Sequence, residues 1–179
     1  MRKNIFVISI WFCVCFFSSD IFGQQVIIGT KQQFSSTSSI LEFPDNDTRG
    51  MVLPKVNSTL VTNATGGTLI YDSVDKKIKY STGGTNWVDL SINEGLVNTS
   101  EQDNLKEVVG ARALIGNDSS ISVEGVLVLD SASKAMVLPR VESPHLKMLS
   151  PATGTIVYDT KSNMICVFNG KEWAFWASE

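Results

Sequence analysis

Short apolar runs separated by turn residues are the main pattern of this chain after residue 24. In its second half, residues 126–129, 135–138, 155–158 and 164–168 are apolar or β-branched, and each run is followed by Asp, Pro or Asn. Runs of four or five residues bounded by turn chemistry predict β-strands, because helices need longer periodic segments. We therefore predict an all-β fold built from short strands.

Two of the turn signals predict where strands end. Pro139 has no backbone N–H to donate to a ladder, so the strand before it should stop there or lie at an edge. Asn169-Gly170 is a strong signal for a type I′ hairpin, because both central positions of that turn need positive φ. The strands on either side, residues 164–168 and 171–175, should therefore pair with each other.

The pattern occurs twice along the chain. Residues 26–30, 51–56 and 67–72 and Trp87 reappear in the same order as residues 113–117, 136–141 and 154–159 and Trp173, at offsets of 85 to 87. Four matched blocks at a nearly constant offset indicate a tandem repeat with small insertions in the loops.

The repeat divides the chain into two β modules, residues 24–90 and 112–179. The linker between them, residues 91–111, has two interpretations. Ser100 could cap a short helix over residues 99–109, with Asp103 close to the free N–H groups of its first turn. The alternative is a simple polar linker.

The first 23 residues are typical of a signal peptide. Arg2 and Lys3 precede an apolar stretch at residues 5–17, and Gly23 offers a small residue for cleavage before Gln24. A membrane anchor is less suitable, because a spanning helix needs about 20 apolar residues. We expect export to the cell surface or medium, with no membrane span left after cleavage.

Each module is small for a stable domain. About 65 residues of short strands make a thin core and leave open sheet edges. We therefore expect the modules to lean on each other or on other copies of the chain.

The order of the matched blocks resembles a module found in surface and tail-fibre-like proteins of Bacteroidetes bacteria. The pieces that carry the resemblance are residues 28–30, 41–42, 49–55, 67–72 and 87 in the first copy, and residues 115–117, 134–140, 154–160 and 169–173 in the second. The resemblance implies a secreted or surface-exposed structural module that self-associates, as a homotrimer, or docks on an envelope or fibre protein. One departure is Ala135, where the family tends to have Gly.

No pattern in the chain indicates catalysis. The lone His145 has no nucleophile motif beside it, and Cys166 stands in an apolar strand that should keep its thiol neutral. The 179 residues carry a net charge of −3 without basic runs, which gives no footprint for nucleic acid. We predict no enzyme activity, no catalytic residue, no cofactor and no metal site.

Aromatic residues close both copies. Trp87 and Trp173 are at matching positions, so we expect them to pack in the cores. Phe175 and Trp176 are the candidates for contact with a ligand or partner, which leaves a carbohydrate-binding adhesin as the alternative function. A glycan is then the partner, stacked on the exposed rings.

The resemblance also implies candidate modification sites. Bacteroidetes modify Ser or Thr that follows Asp, and Ser73 after Asp72 and Ser131 after Asp130 match that acceptor pattern. The alternative is that both serines are ordinary turn residues.

Overall fold

A computed structural model describes residues 25–45, 47–106, 108, 110–116 and 125–177 of the chain. These residues form fourteen strands, one 3-10 turn (Ser58–Leu60) and one helix, α1 (Pro144–Lys147). The strands are β1 (Val26–Ile27), β2 (Ser39–Glu42), β3 (Met51–Val52), β4 (Lys55–Val56), β5 (Leu69–Asp72), β6 (Lys77–Gly83), β7 (Asn86–Asp89), β8 (Ala113–Gly116), β9 (Leu127–Asp130), β10 (Ala135–Met136), β11 (Arg140–Val141), β12 (Thr155–Asp159), β13 (Met164–Phe168) and β14 (Trp173–Trp176). The all-β prediction is confirmed.

Each repeat builds the same four-stranded arrangement. In the first repeat the order is β4-β5-β6-β7, and in the second it is β11-β12-β13-β14. The first pair of each set is parallel and the other two pairs are antiparallel hairpins. The equivalent strands pair in equivalent register, since Ile70 faces Lys79 and Val157 faces Cys166.

The two repeats exchange strands. From the first repeat, β3 joins the second sheet and pairs antiparallel with the start of β12. From the second repeat, β10 pairs parallel with β2, which makes the sheet β1-β2-β10. These pairings join the repeats, while the module boundaries at residues 24–90 and 112–179 stay a prediction.

Side chains of both repeats form a shared core. Its buried members are Leu53, Tyr71, Ile78, Ile156, Val167 and Ala174. A second cluster, made of Val141, Met148, Val157 and Cys166, lies within the second repeat. Because either hairpin alone could bury only one face of a short sheet, packing the two against each other provides the apolar burial that each lacks. The expectation that the modules lean on each other is confirmed.

The fourth sheet among the described residues is the smallest. Strands β8 and β9 pair in parallel and form a two-stranded sheet. They are the counterparts of β1 and β2, but the register differs by two residues. Ile27 faces Glu42, whereas its counterpart Leu114 faces Val128 and not Asp130.

The described part of the linker contains hydrogen-bonded turns and no helix. Thr99 O accepts hydrogen bonds from the backbone N–H groups of Gln102 at 2.8 Å and Asp103 at 3.0 Å, and Gln102 O accepts from the N–H of Leu105 at 2.9 Å. Apart from the half-buried Thr99, residues 98–106 are exposed, so a short helix would have no packed face in water. The helix of the described residues is α1, and the bounds of the linker, residues 91–111, stay a prediction.

The hairpin at Asn169 is present, but its turn type differs from the prediction. Gly170 has φ +92°, and Asn169 is not among the described residues with positive φ. The buried Asn169 side chain instead accepts hydrogen bonds from the N–H groups of Lys171 at 2.9 Å and Glu172 at 2.8 Å. The side chain thus closes the turn itself, which removes the need for a type I′ backbone.

The predicted signal peptide, residues 1–23, lies outside the described residues. Among the described residues, no helix has the length and apolar character to cross a membrane.

Candidate assembly surface

The start of the linker binds the last turn of the chain. Asn169 O accepts from the N–H of Leu96 at 3.0 Å and from the hydroxyl of Tyr71, also at 3.0 Å. The Asn169 amide donates to Asn93 O at 3.0 Å. Tyr71 is fully buried, and its burial, with a smaller effect of Asp72, raises the pKa of its hydroxyl to about 12. Tyr71 of the first repeat, together with Asn93 and Leu96 of the linker, is thus tied to the buried Asn169 of the second repeat.

Both repeats bury an aspartate at the end of the same strand. Asp72 closes β5 and is 1% exposed, while Asp159 closes β12 and is 2% exposed. Each carboxylate accepts backbone N–H bonds from the turn that follows, from Val74 at 2.9 Å and from Lys161 at 2.9 Å. Sequence reasoning missed these two as buried structural groups. The signal for them was the Tyr-Asp pair at the same place in both repeats.

The pKa values of both carboxyl groups lie below the usual value for Asp. Burial alone would raise the pKa of Asp72, but hydrogen bonds from Lys79 and Ser58 outweigh it. For Asp159 burial again acts upward, and backbone bonds from Lys161 and Ser143 lower the pKa. Both groups therefore serve as ionised turn anchors.

The buried strand β2 carries a third internal carboxylate. Glu42 is fully buried, and its oxygens accept from the Lys31 ammonium at 2.8 Å and from the Ser35 N–H at 3.0 Å. Burial opposes ionisation, but the bonds from Lys31 and Ser35 lower its pKa to about 2. This charge fixes the loop of residues 31–35 over the sheet.

Equivalent strand edges of the two repeats differ in whether neighbouring residues cover them. A Cβ added at Gly154 would lie 3.4 Å from Leu53 O and 3.4 Å from Tyr71 Cβ, because β3 lies alongside. Its counterpart Gly67 has the same φ of +89° and no heavy atom within 4 Å of such a Cβ. Strand β2 likewise has neighbours on both edges, whereas β9 pairs only with β8 among the described strands.

An open groove of about 510 Å³ borders β3. Its lining includes Arg49, Gly50 and Val52, together with Thr155 of β12 and residues 147–152. The side chain of Val52 is 49% exposed there.

The two predicted contact aromatics lie on opposite faces of β14. Phe175 is 41% exposed and packs edge-on against His145, with ring centroids 5.5 Å apart. Trp176 is 38% exposed, faces Ile165, and donates its indole N–H to Leu90 O. Because neighbouring strand residues point to opposite faces, the two rings cannot form one stacking platform. Their role in ligand or partner contact stays a prediction.

The matching tryptophans differ in environment. Trp173 packs against the second cluster, as expected, and also against Phe168 at 5.3 Å between ring centroids. Trp87 is half-buried, and its indole N–H is buried without a hydrogen-bond partner in the described structure.

Cys166 and His145 lie in different environments. Burial, followed by the charge of Asp159, raises the pKa of the Cys166 thiol to about 12, so it is a neutral core side chain. His145 is exposed on α1. Within the described ranges, no group of three or more His, Cys, Asp or Glu side chains could hold a metal ion.

The two candidate acceptor serines lie in turns. Ser73 is half-buried, and its N–H donates to Val56 O at 2.9 Å. Ser131 is also half-buried, and its hydroxyl oxygen accepts from the N–H of Lys134 at 3.0 Å. Their modification stays a prediction.

The described residues define a class of protein by its fold, a β-rich protein that is built from repeated β units. Residues 115–178, which include most of the second repeat, match the family model described as a phage tail like trimerisation region. This match is consistent with the tail-fibre-like resemblance and suggests a structural, assembly role for this part of the chain. No curated protein and no solved structure matches the chain.

Proposed function

We propose that this protein is an exported structural module that assembles with itself as a homotrimer at the cell surface or in a fibre-like structure, without catalysis. The observation that carries the proposal is the match of residues 115–178 to a phage tail like trimerisation region. The exchange of β3 and β10 between the repeats supports it, because this fold already builds its sheets from strands of different units.

The physical basis of the proposal is the backbone N–H and C=O groups at a strand edge that has no partner among the described strands. Among the described strands, β9 has one unpaired edge and exposes Leu127 at 41%, while Val126 just before it is 68% exposed. An apolar strand with free N–H and C=O groups is a template for another chain. Self-association satisfies these groups.

The test is the mass of the purified full chain in solution. Light scattering coupled to size exclusion should give three times the mass of one chain over a wide range of protein concentration. A stable monomer at micromolar concentration would contradict the proposal.

Export is the second part of the proposal, and the sequence of residues 1–23 and the resemblance to Bacteroidetes surface modules support it. Amino-terminal sequencing of the protein from its native cells should begin at Gln24, and fractionation should place it outside the cytoplasm. An intact Met1 in a cytoplasmic fraction would remove this part. Intact-mass measurement of the same sample tests for added sugar at Ser73 and Ser131.

A further inference from the structure

Strand β9 is the counterpart of a strand that has two partners. Leu129-Asp130 at the end of β9 corresponds to Leu41-Glu42 at the end of β2. Strand β2 lies between β1 and β10, and all four of its residues are buried. Strand β9 pairs only with β8 among the described strands, and its four residues are exposed or half-buried. A two-stranded sheet with apolar side chains is marginal in water without a further strand or cover.

The strand that completes β2 shows which sequence fits this kind of edge. The N–H groups of Ala135 and Val137 donate to Ser38 O and Leu41 O, each at 2.8 Å. In the repeat alignment, Gly50 corresponds to Ala135 and Val52 corresponds to Val137. Strand β3 therefore carries the sequence that matches the missing third strand.

Among the described strands β3 pairs only with β12, so its outer edge has no partner there and can take this role. On its inner edge, the N–H of Leu53 donates to Gly154 O at 3.0 Å, and Met51 faces Ile156. Backbone groups alternate between the two edges of a strand, so the N–H of Val52 points away from β12. Val52 is 49% exposed, so water reaches the residue whose N–H points outward.

We propose that β9 of one chain pairs in parallel with the outer edge of β3 of a neighbouring copy, as β2 pairs with β10 within the chain. This inference rests on the proposed self-association and names its contact. The partner is a second copy, because the fitting strand belongs to this chain and is not used by its own β9. A contact between two different surfaces generates a ring when the rotation closes, and three copies then satisfy all three β9 edges.

The register of the contact follows from the internal example. Ala135 faces Ser39 and Met136 faces Leu41 in the pairing of β10 with β2. The equivalent contact puts Gly50 opposite Leu127 and Met51 opposite Leu129 of the neighbour. Paired strands lie about 4.8 Å apart, which is close enough for a disulfide between facing positions.

The experiment is disulfide trapping in the full chain. The variant Met51→Cys/Leu129→Cys should give covalent dimers and trimers on a non-reducing gel. The single variants Met51→Cys and Leu129→Cys control for the native cysteines. The pair Met136→Cys/Leu129→Cys is the matched control, because Met136 holds the place of Met51 in the other repeat. Preferential trapping of that pair, or a disulfide closed within one chain, would overturn the proposal.

A second variant pair tests the backbone bond directly. Val52→Pro removes the outward N–H and should reduce the assembly to single chains, a threefold fall in mass. Val52→Thr keeps the N–H and the β-branched shape, and it should remain trimeric. Circular dichroism checks that both variants are folded. If Val52→Pro does not fold, the disulfide-trapping experiment tests the contact instead.

The outcomes separate the two proposals. A trimeric wild-type chain with no trapping by Met51→Cys/Leu129→Cys overturns the β3–β9 contact and leaves self-association in place. So does a folded Val52→Pro variant that stays trimeric. A monomeric wild-type chain overturns both.

Discussion

Lys79 in the first repeat and Cys166 in the second occupy the same place in the same hairpin, facing Ile70 and Val157 across the strand pair. Lys79 is 6% exposed, and its ammonium binds the Asp72 carboxylate at 2.8 Å and also pairs with Asp75. Cys166 is fully buried and packs among apolar side chains of the second cluster.

The comparison shows which part of the hairpin is constrained. Both repeats keep an aspartate that accepts the N–H groups of its turn, because a buried carboxylate needs hydrogen-bond donors. The second repeat supplies a neutral donor, since the Ser162 hydroxyl bonds Asp159 at 2.8 Å, at the position that Asp75 holds in the first repeat. The fold therefore accepts either of two sets of groups beside the buried aspartate. One is the ion-pair cluster of Lys79 and Asp75, and the other is the Ser162 hydroxyl with the small apolar side chain of Cys166. Each set has to be complete.

The largest loss of stability should come from a variant that places the Cys of the second repeat among the charged groups of the first. Lys79→Cys leaves the buried Asp72 carboxylate without its cation and beside a second acid, Asp75. Removing one partner of a buried ion pair costs roughly 3–5 kcal/mol of stability, and we expect ~3 kcal/mol here because Ser58 and the turn N–H groups remain. Urea unfolding followed by tryptophan fluorescence measures the loss.

The matched rescue variant is Lys79→Cys/Asp75→Ser, which transfers the complete set of the second repeat. The introduced serine hydroxyl should donate to Asp72 as Ser162 donates to Asp159, and the substitution removes the competing charge. We expect it to recover about half of the lost stability, roughly 1–2 kcal/mol, the worth of a hydrogen bond to a charged group. Equal stability of the single and double variants would contradict this account of the hairpin.

The next effect concerns pH and compares the buried Glu42 with the exposed Glu142. The folded-state pKa of Glu42 is about 2, below the ordinary value of 4.5, so the unfolded chain takes up the proton first as the pH falls. Its contribution to stability, ~2–3 kcal/mol, is therefore present above about pH 4.5 and lost as the pH falls through 2. Unfolding measured from pH 6 to pH 2 should be clearly less pH-dependent in Glu42→Gln.

Glu142→Gln is the control for this measurement. Lys147 lowers the pKa of Glu142 mainly through a side-chain hydrogen bond, but both side chains are about half-exposed. Water screens such a pair, so this variant should keep the wild-type pH profile. If both variants changed the profile equally, burial would not be the cause.

A glycine and an alanine at matching positions make the third comparison. A Cβ at Gly50 would lie 2.4 Å from Thr155 Cγ2 and 3.2 Å from the backbone oxygen of Ile156, whereas Ala135, which pairs with β2, is exposed. Gly50→Ala should therefore push β3 off β12 and cost ~2 kcal/mol through overpacking.

Ala135→Gly introduces no clash, and it should cost only about 0.5–1 kcal/mol, the entropy of an added glycine. Thermal unfolding of the two variants side by side checks the difference. A smaller loss in Gly50→Ala than in Ala135→Gly would mean that β3 does not approach β12 this closely.

These comparisons also show what could be read from the chain. Short apolar blocks and their turn residues predicted the strands and the repeat, because both depend on local chemistry. The pairing of β3 with β12 and of β10 with β2 was not predicted, since the choice of a distant partner depends on the packing of the whole core. Ala135, noted only as a departure from a family pattern, acquires a physical meaning once Gly50 is seen against Thr155.

The candidate site was predicted less completely than the fold. Asp72 and Asp159 read as ordinary turn residues, because nothing local reveals that a turn carboxylate is buried. The predicted last strand, residues 171–175, ended at Phe175 and left Trp176 outside, whereas β14 runs from Trp173 to Trp176. The opposite faces of the two rings follow only from the β14 register. Open sheet edges were expected, but the sequence could not show that β9 has one, because that edge is defined by a partner that β2 has and β9 lacks among the described strands.

The smallest effect should come from the fourth residue of each hairpin turn. Lys76 has φ +55° and Asn163, at the matching position, has φ +58°. Asn tolerates the left-handed conformation, whereas the same conformation costs Lys about 1–2 kcal/mol. Replacing Lys by Gly removes this cost, but the greater flexibility of glycine in the unfolded chain offsets part of the gain. Lys76→Gly should therefore stabilise the chain by ~0.5 kcal/mol, and Asn163→Gly should change its stability by less than that. Both variants can be compared by urea unfolding, and a destabilised Lys76→Gly would show that the Lys76 side chain contributes more to its turn than the strained backbone costs.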